Sequence, residues 1–171
     1  MGFVANLELH PQVHYRWRHR GVTPSPDRLI STLWEGALVI FMVAARETGR
    51  PIGLVVGYGA DHRNGVCHVG LVADPNQPPG PPLIFDGFAL LLDYLFRVWP
   101  FRKVFAEVPG FNVEQFGSMI GRLFVEEGRL REYEFYNGQY WDKIWLGLSR
   151  SEWVAARLRL LSPVVDMPLE L

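Results

Sequence analysis

Glu107 lies inside the stretch Val104-Phe-Ala-Glu-Val108, a carboxylate among apolar residues. Buried there, its pKa would rise toward neutrality and suit a general base; turned to a sheet edge, it would be an ordinary solvated acid. Five positions on stands Asn112, just after the turn Pro109-Gly110-Phe111. A side-chain amide at a turn into a helix can bond a ligand or cap the backbone, and a plain N-cap accounts for it almost as well. The histidines are His10, His14, His19, His62 and His68, three of them in a basic stretch with Arg16, Arg18 and Arg20. Their spacing shows no convergence on a metal, so they are expected to be solvated or structurally satisfied. Tyr15-Arg-Trp-Arg-His-Arg20 interleaves aromatic and basic residues as a nucleic-acid contact would, yet a net charge of -1 argues against a polyanionic partner or an anionic membrane. The expected role is a half-exposed element packing Tyr15 and Trp17. Dinucleotide, phosphate-loop, zinc-protease and serine-hydrolase motifs are all missing from the sequence. Single Cys67 excludes an internal disulfide and a paired-cysteine zinc site, and it points to a reducing compartment, the cytoplasm.

The elements that must position these residues come from 171 residues, a length that fits one domain, 1–171, in which 150–171 form a C-terminal helix and tail. The longest apolar run, 37–45, is about half of what a membrane helix needs, and the N-terminus has no secretion or myristoylation pattern, so a soluble, unexported protein is expected. Proline interrupts regular structure in Asp74-Pro-Asn-Gln-Pro-Pro-Gly-Pro-Pro82. Before that loop, 37–46, 51–60 and 66–73 read as strands joined by short links, the last through the hairpin signal Asn64-Gly65. After it, Leu83, Phe88, Leu91, Leu92, Leu95 and Phe96 recur at helical spacing up to Trp99-Pro100. A buried strand over 103–108, a second amphipathic helix over 113–124, and strands 129–136 and 139–148 around Asn137-Gly138 follow. Helices are also expected at 25–35 and at 151–161, the latter with a Ser cap and Glu152 in its first turn. This order describes a mixed α/β or α+β layer architecture around one sheet.

Lys103-Val-Phe-Ala-Glu-Val-Pro-Gly-Phe-Asn112, Leu123-Phe-Val-Glu-Glu-Gly-Arg-Leu-Arg131, Gly138-Gln-Tyr-Trp-Asp142 and Glu152-Trp153 occur in this order and spacing. Over residues 22–153 the chain thereby resembles the GCN5-related N-acetyltransferase (GNAT) superfamily, in the branch that acetylates ribosomal-protein N-termini and many small amines. The resemblance implies a GNAT fold, α/β (α+β), with helices flanking a mixed central sheet that splays between its fourth and fifth strands, here 66–73 and 103–108. It further implies acetyl-CoA as acyl donor, pantetheine pairing at Leu71 and Ala73, pyrophosphate binding at Gln77 and Gly80, a cofactor contact at Asn112, and Glu107 as general base. The acceptor would be a small-molecule or peptide amine, without metal, nucleic acid or membrane.

Two departures follow from the residues themselves. Pro78, Pro79, Pro81 and Pro82 carry no N–H, so the loop binds pyrophosphate through Gln77, Gly80 and the start of the next helix, or the domain is a cofactor-free binding or assembly module. The family's frequent acid, a tyrosine seven residues after the asparagine, is Met119 here; Tyr133 or Tyr136 could replace it only by folding over the cleft. The acyl chain could also be one other than acetyl. Family members take their acceptor specificity from the segments 21–35 and 133–141. Trp34, Tyr133, Phe135, Tyr136, Tyr140 and Trp141 there suit a ring-bearing acceptor, or else simply pack in the sheet. Trp153, Leu158, Leu160 and Leu161 suggest an apolar stripe for a homodimer through the last hairpin or the tail.

Overall fold

In the computed structural model, which describes residues 2–77, 83–117 and 119–164, β-branched and apolar runs form six strands. They are β1 (Ala37–Ala44), β2 (Pro51–Asp61), β3 (Val66–Ala73), β4 (Lys103–Pro109), β5 (Val125–Tyr136) and β6 (Gln139–Ser149). The sheet order is β1-β2-β3-β4-β6-β5. Short links make β1, β2 and β3 an antiparallel meander, whereas β3 and β4 are parallel because a helix crosses between them. This pair is the splayed one; it comprises the third and fourth strands of this chain, since residues 2–8 are helical.

Two layers cover the sheet. The crossover helix α3 (Ile84–Val98) places Phe88, Leu91, Leu92, Leu95 and Phe96 on one face, against Val69, Val104, Ala106 and Leu146. It stops where Trp99 turns extended before Pro100. Its last carbonyls are taken up by the Arg150 guanidinium, which donates to Phe96 O, to Trp99 O at 2.7 Å and to Phe101 O at 2.8 Å. Arg150 opens α5 (Arg150–Leu161), whose cap is Ser149 rather than Ser151: Ser149 N donates to Glu152 Oε2 at 2.7 Å, and Ser149 Oγ accepts from Glu152 N. Of the expected apolar stripe on the tail, Trp153 and Leu161 are buried in the chain's own core, Leu160 packs against it partly buried, and Leu158 is exposed.

On the opposite face, α1 (Gly2–Glu8) and the turns after it pack Leu7 and Val13 on Leu54 and Val72. The helix expected over 25–35 is only α2 (Pro26–Ser31), capped by Ser25 and ended before Gly36, which takes φ +69°. That expected over 113–124 shrinks to α4 (Val113–Phe116); further on, Gly121 takes φ +78° and its N–H bonds Phe124 O at 2.7 Å, a turn through which no helix continues. Asn137 and Gly138 both have positive φ, as a type I′ hairpin requires.

Candidate functional site

The β3–β4 ladder runs over only three pairs, Val66 with Lys103, Cys67 with Val104 and His68 with Phe105. Backbone groups alternate sides along a strand. Asp74 N bonds Ile52 O on β2, so Leu71 and Ala73 direct their amides toward β4. Arg150 N bonds Arg102 O, which by the same alternation puts the backbone groups of Glu107 on the β3 side. Beyond His68 and Phe105 these facing groups no longer reach each other, leaving a gap edged by donors and acceptors of the spacing an extended amide chain needs. A cavity of about 570 Å³ opens at this gap, with Leu71 on one side and Glu107 and Asn112 on the other.

Asn112 does not cap α4. Its Oδ1 is buried and has no partner, so the N-cap account fails and an acceptor is left for a ligand. Ala73 ends β3 at the surface, outside the cavity wall. Gln77 donates its N–H to Asp74 O at 3.2 Å and its Nε2 to Pro51 O at 3.5 Å, so it closes a turn. Gly80 lies outside the described residues. The cleft residues thus fit a CoA thioester's pantetheine arm.

Strand alternation puts Tyr58, His68, Phe105, Glu107, Lys143 and Trp145 on one face of the sheet. There Glu107 Oε1 lies 3.2 Å from His68 Nδ1, and Lys143 Nζ donates to Glu107 Oε2 at 2.7 Å. The His68 contact has ion-pair distance without hydrogen-bond alignment, since His68 Nδ1 has no hydrogen-bond partner. These neighbours, His68 foremost and then Lys143, outweigh burial and hold Glu107 down at about 2. The raised pKa expected from its apolar strand is therefore corrected: the sequence shows the apolar neighbours along the strand, whereas the polar partners His68 and Lys143 come from adjacent strands. Buried Lys143 is also 3.3 Å from Glu134 Oε1, which Arg20 contacts from the N-terminal segment. Tyr58 is pushed up to about 12, by burial first and by Glu107 second.

The outer wall of the cavity comes from the basic N-terminal stretch. Glu8, 1% exposed, accepts from Trp17 Nε1 at 3.3 Å and Arg18 Nε at 2.9 Å, and lies 3.1 Å from His19 Nε2. Arg18 also donates to Thr32 O and Leu33 O, joining α1 to α2. Tyr15 stacks on Tyr136 with ring centroids 4.2 Å apart. The aromatic-basic motif is thus a structural strap. None of the six aromatic residues expected to shape the acceptor site lines the cavity. Met119 packs against the core below α3, and Tyr133 faces Lys143 at 4.8 Å. Among the described residues no cluster of three metal-ligating side chains occurs.

A mixed six-stranded sheet whose parallel pair parts around a cleft, with helices on both faces, is the fold of the GCN5-related N-acetyltransferases. The chain is similar to spermidine N-acetyltransferase from Vibrio cholerae in complex with CoA and spermine, at 23% identity and TM-score 0.75 over 90% of this chain and 91% of that one. A chimera of the Vibrio cholerae enzyme with hSSAT gives 22% and 0.74 over 90% and 91%, and the manganese complex of the Vibrio cholerae enzyme gives 21% and 0.70 over 90% and 89%. At such identity the likeness is one of fold. No protein-family model and no curated protein matches the chain.

His68, Lys143, Glu134, Arg20 and Tyr58 were not among the expected site residues. The signal for His68 was available: two strand positions before Gly70, it shares a face with Phe105 and hence with Glu107 once the parallel register is known.

Proposed function

We propose that this protein transfers an acyl group, in the simplest case acetyl from acetyl-CoA, to the primary amine of a small molecule or peptide N-terminus. What carries the reading is the interrupted β3–β4 ladder, with Leu71, Glu107 and the partnerless Asn112 Oδ1 around one cavity. A CoA thioester supplies an activated carbonyl with a thiolate leaving group. Leu71 and Ala73 would pair with its amide chain, Asn112 would accept an N–H, and Gln77 and Gly80 would flank the pyrophosphate. A C–N bond forms and a C–S bond breaks; the amine sheds one proton and the thiolate gains one.

Glu107, at about 2, is ionised throughout the neutral range and is a weak proton acceptor. Its role in this reaction is electrostatic: it draws in the amine and stabilises the positive charge that develops on nitrogen during attack. The cytoplasm, where CoA thioesters are abundant, is the compartment we assign. A homodimer would use the tip of the β5–β6 hairpin, where Phe135 and Tyr140 are exposed, or the outer face of α5, where Leu158 is exposed.

A second reading, a cofactor-free binding module of the same fold, is favoured by the occupied N–H of Gln77 and the four prolines beside it. Thermal melts separate the two: acetyl-CoA at about 100 times its dissociation constant adds about 2.7 kcal/mol. The transferase reading requires that shift together with amine-dependent release of free thiol. Glu107→Gln should lower the rate by about 100-fold and leave acetyl-CoA affinity nearly unchanged. Absence of both thiol release and thermal shift would overturn it in favour of the module.

A further inference from the structure

Three of the carboxylates on the cavity wall have basic partners. Glu8 is taken by Arg18 and His19, Glu134 by Arg20 and Lys143, and Glu107 by Lys143 and His68. Two guanidiniums are left without a carboxylate among the described residues. Arg28 stands on α2, exposed, with only its backbone engaged in the helix and its cap. Arg16 lies 4.9 Å over the Tyr15 ring and donates to the Tyr15 hydroxyl, while its Nε is buried with no partner. Both line the same cavity as Glu107. Glu35, at the rim, is the one wall carboxylate without a cation among the described residues.

We infer that the acceptor is an amine that also carries an anionic group, of carboxylate or phosphate chemistry, with the anion held by Arg16 and Arg28. The inference rests on the amine-acceptor reading above and specifies its substrate class. An acceptor with a second ammonium instead of an anion would set that charge beside Arg16 and Arg28, a like-charge contact in a partly desolvated cavity that only Glu35 at the rim would offset. A carboxylate or phosphate there gains charge-assisted, bidentate hydrogen bonds from groups that are otherwise unpaired. Arg28 and Arg16 are therefore specificity-determining residues, distinct from the carboxylate that faces the reacting nitrogen.

Calorimetry on the full chain, run without any CoA thioester, compares γ-aminobutyrate and phosphoethanolamine with butylamine and putrescine. The two zwitterions are expected to bind at least about tenfold more tightly than the two cations, and the better of the two identifies carboxylate or phosphate. Arg28→Ala should cut the ratio of γ-aminobutyrate to butylamine affinity by about tenfold, Arg16→Gln should do likewise, and Arg28→Lys should restore part of it. Circular dichroism melts confirm that each variant is folded, which exposed Arg28 favours. Putrescine binding as tightly as γ-aminobutyrate, a ratio unchanged in both variants, or no binding of any probe at millimolar concentration would overturn the inference. Zwitterion preference without acyl transfer would overturn the transferase reading alone, whereas acyl transfer favouring putrescine would overturn the acceptor assignment alone.

Discussion

Replacing Glu107 by glutamine keeps the shape of the side chain and removes the charge that faces His68 and Lys143. The carboxyl is held at about 2 instead of 4.5, with the side chain 21% exposed. A depression of that size is worth about 3 kcal/mol of folding free energy when the group is ionised. Because the folded-state pKa is the lower one, this stability is fully present above about pH 4.5 and is lost as pH falls toward about 2. The variant never has it. Near neutral pH, Glu107→Gln should therefore unfold with about 3 kcal/mol less stability, roughly 6–12 °C in Tm for a chain of this size. Urea melts of both proteins near neutrality and at about pH 5, 4 and 3 provide the measurement. The gap between them should hold to about pH 5 and then narrow steadily. A gap that stays constant down to about pH 3, or one below about 0.5 kcal/mol near neutrality, would show that His68 and Lys143 do not hold this carboxylate in the folded protein.

Acetyl-CoA should bind weakly, with a dissociation constant in the high micromolar range, since two lost charge-assisted donors cost about 3 kcal/mol or more; replacing Pro81 and Pro82 with Gly and Ala should tighten it, and sub-micromolar calorimetric binding by the natural sequence would refute this. Glu8→Ala leaves Arg18 and His19 without their shared buried carboxylate and should destabilise by about 3–5 kcal/mol in urea melts. Gly87→Ala would put a Cβ 2.4 Å from Val43 Cγ2, where α3 crosses β1, and should cost about 1–3 kcal/mol by the same assay.

The sheet was legible because its strands carry their own punctuation. Asn64-Gly65 and Asn137-Gly138 mark hairpins, β-branched runs mark 66–73 and 103–108, and the apolar stripe of α3 repeats over four turns. α1 was not, since seven residues from Gly2 to Glu8 offer no cap and draw their helicity from packing Leu7 on Leu54 and Val72. The helix after Asn112 read too long because apolar spacing survives through 113–124, although α4 stops at Phe116 and Gly121 takes a backbone conformation through which no helix continues. Glu107 was expected from its apolar strand together with the resemblance, and Asn112, Leu71, Ala73, Gln77 and Gly80 chiefly from the resemblance. The ionisation of Glu107 was illegible because it is decided by His68 on β3 and Lys143 on β6, brought beside it by the register of three strands.

The cavity's two sides have different ancestries in the chain. One side is sheet, assembled by pairing β4 with β6 across a long separation. The other is the strap of residues 2–35, tied together by its Glu8, Arg18 and α2 contacts and docked by Leu7 and Val13 on Leu54 and Val72, by Tyr15 on Tyr136 and by Arg20 on Glu134. A strap that keeps these docking points can be rewritten elsewhere without disturbing the ladder that would bind the donor. On the proposed function, acceptor preference would then vary separately from the acyl-transfer chemistry. Grafting a different strap that preserves the contacts to Leu54, Val72, Tyr136 and Glu134 would test that separation directly.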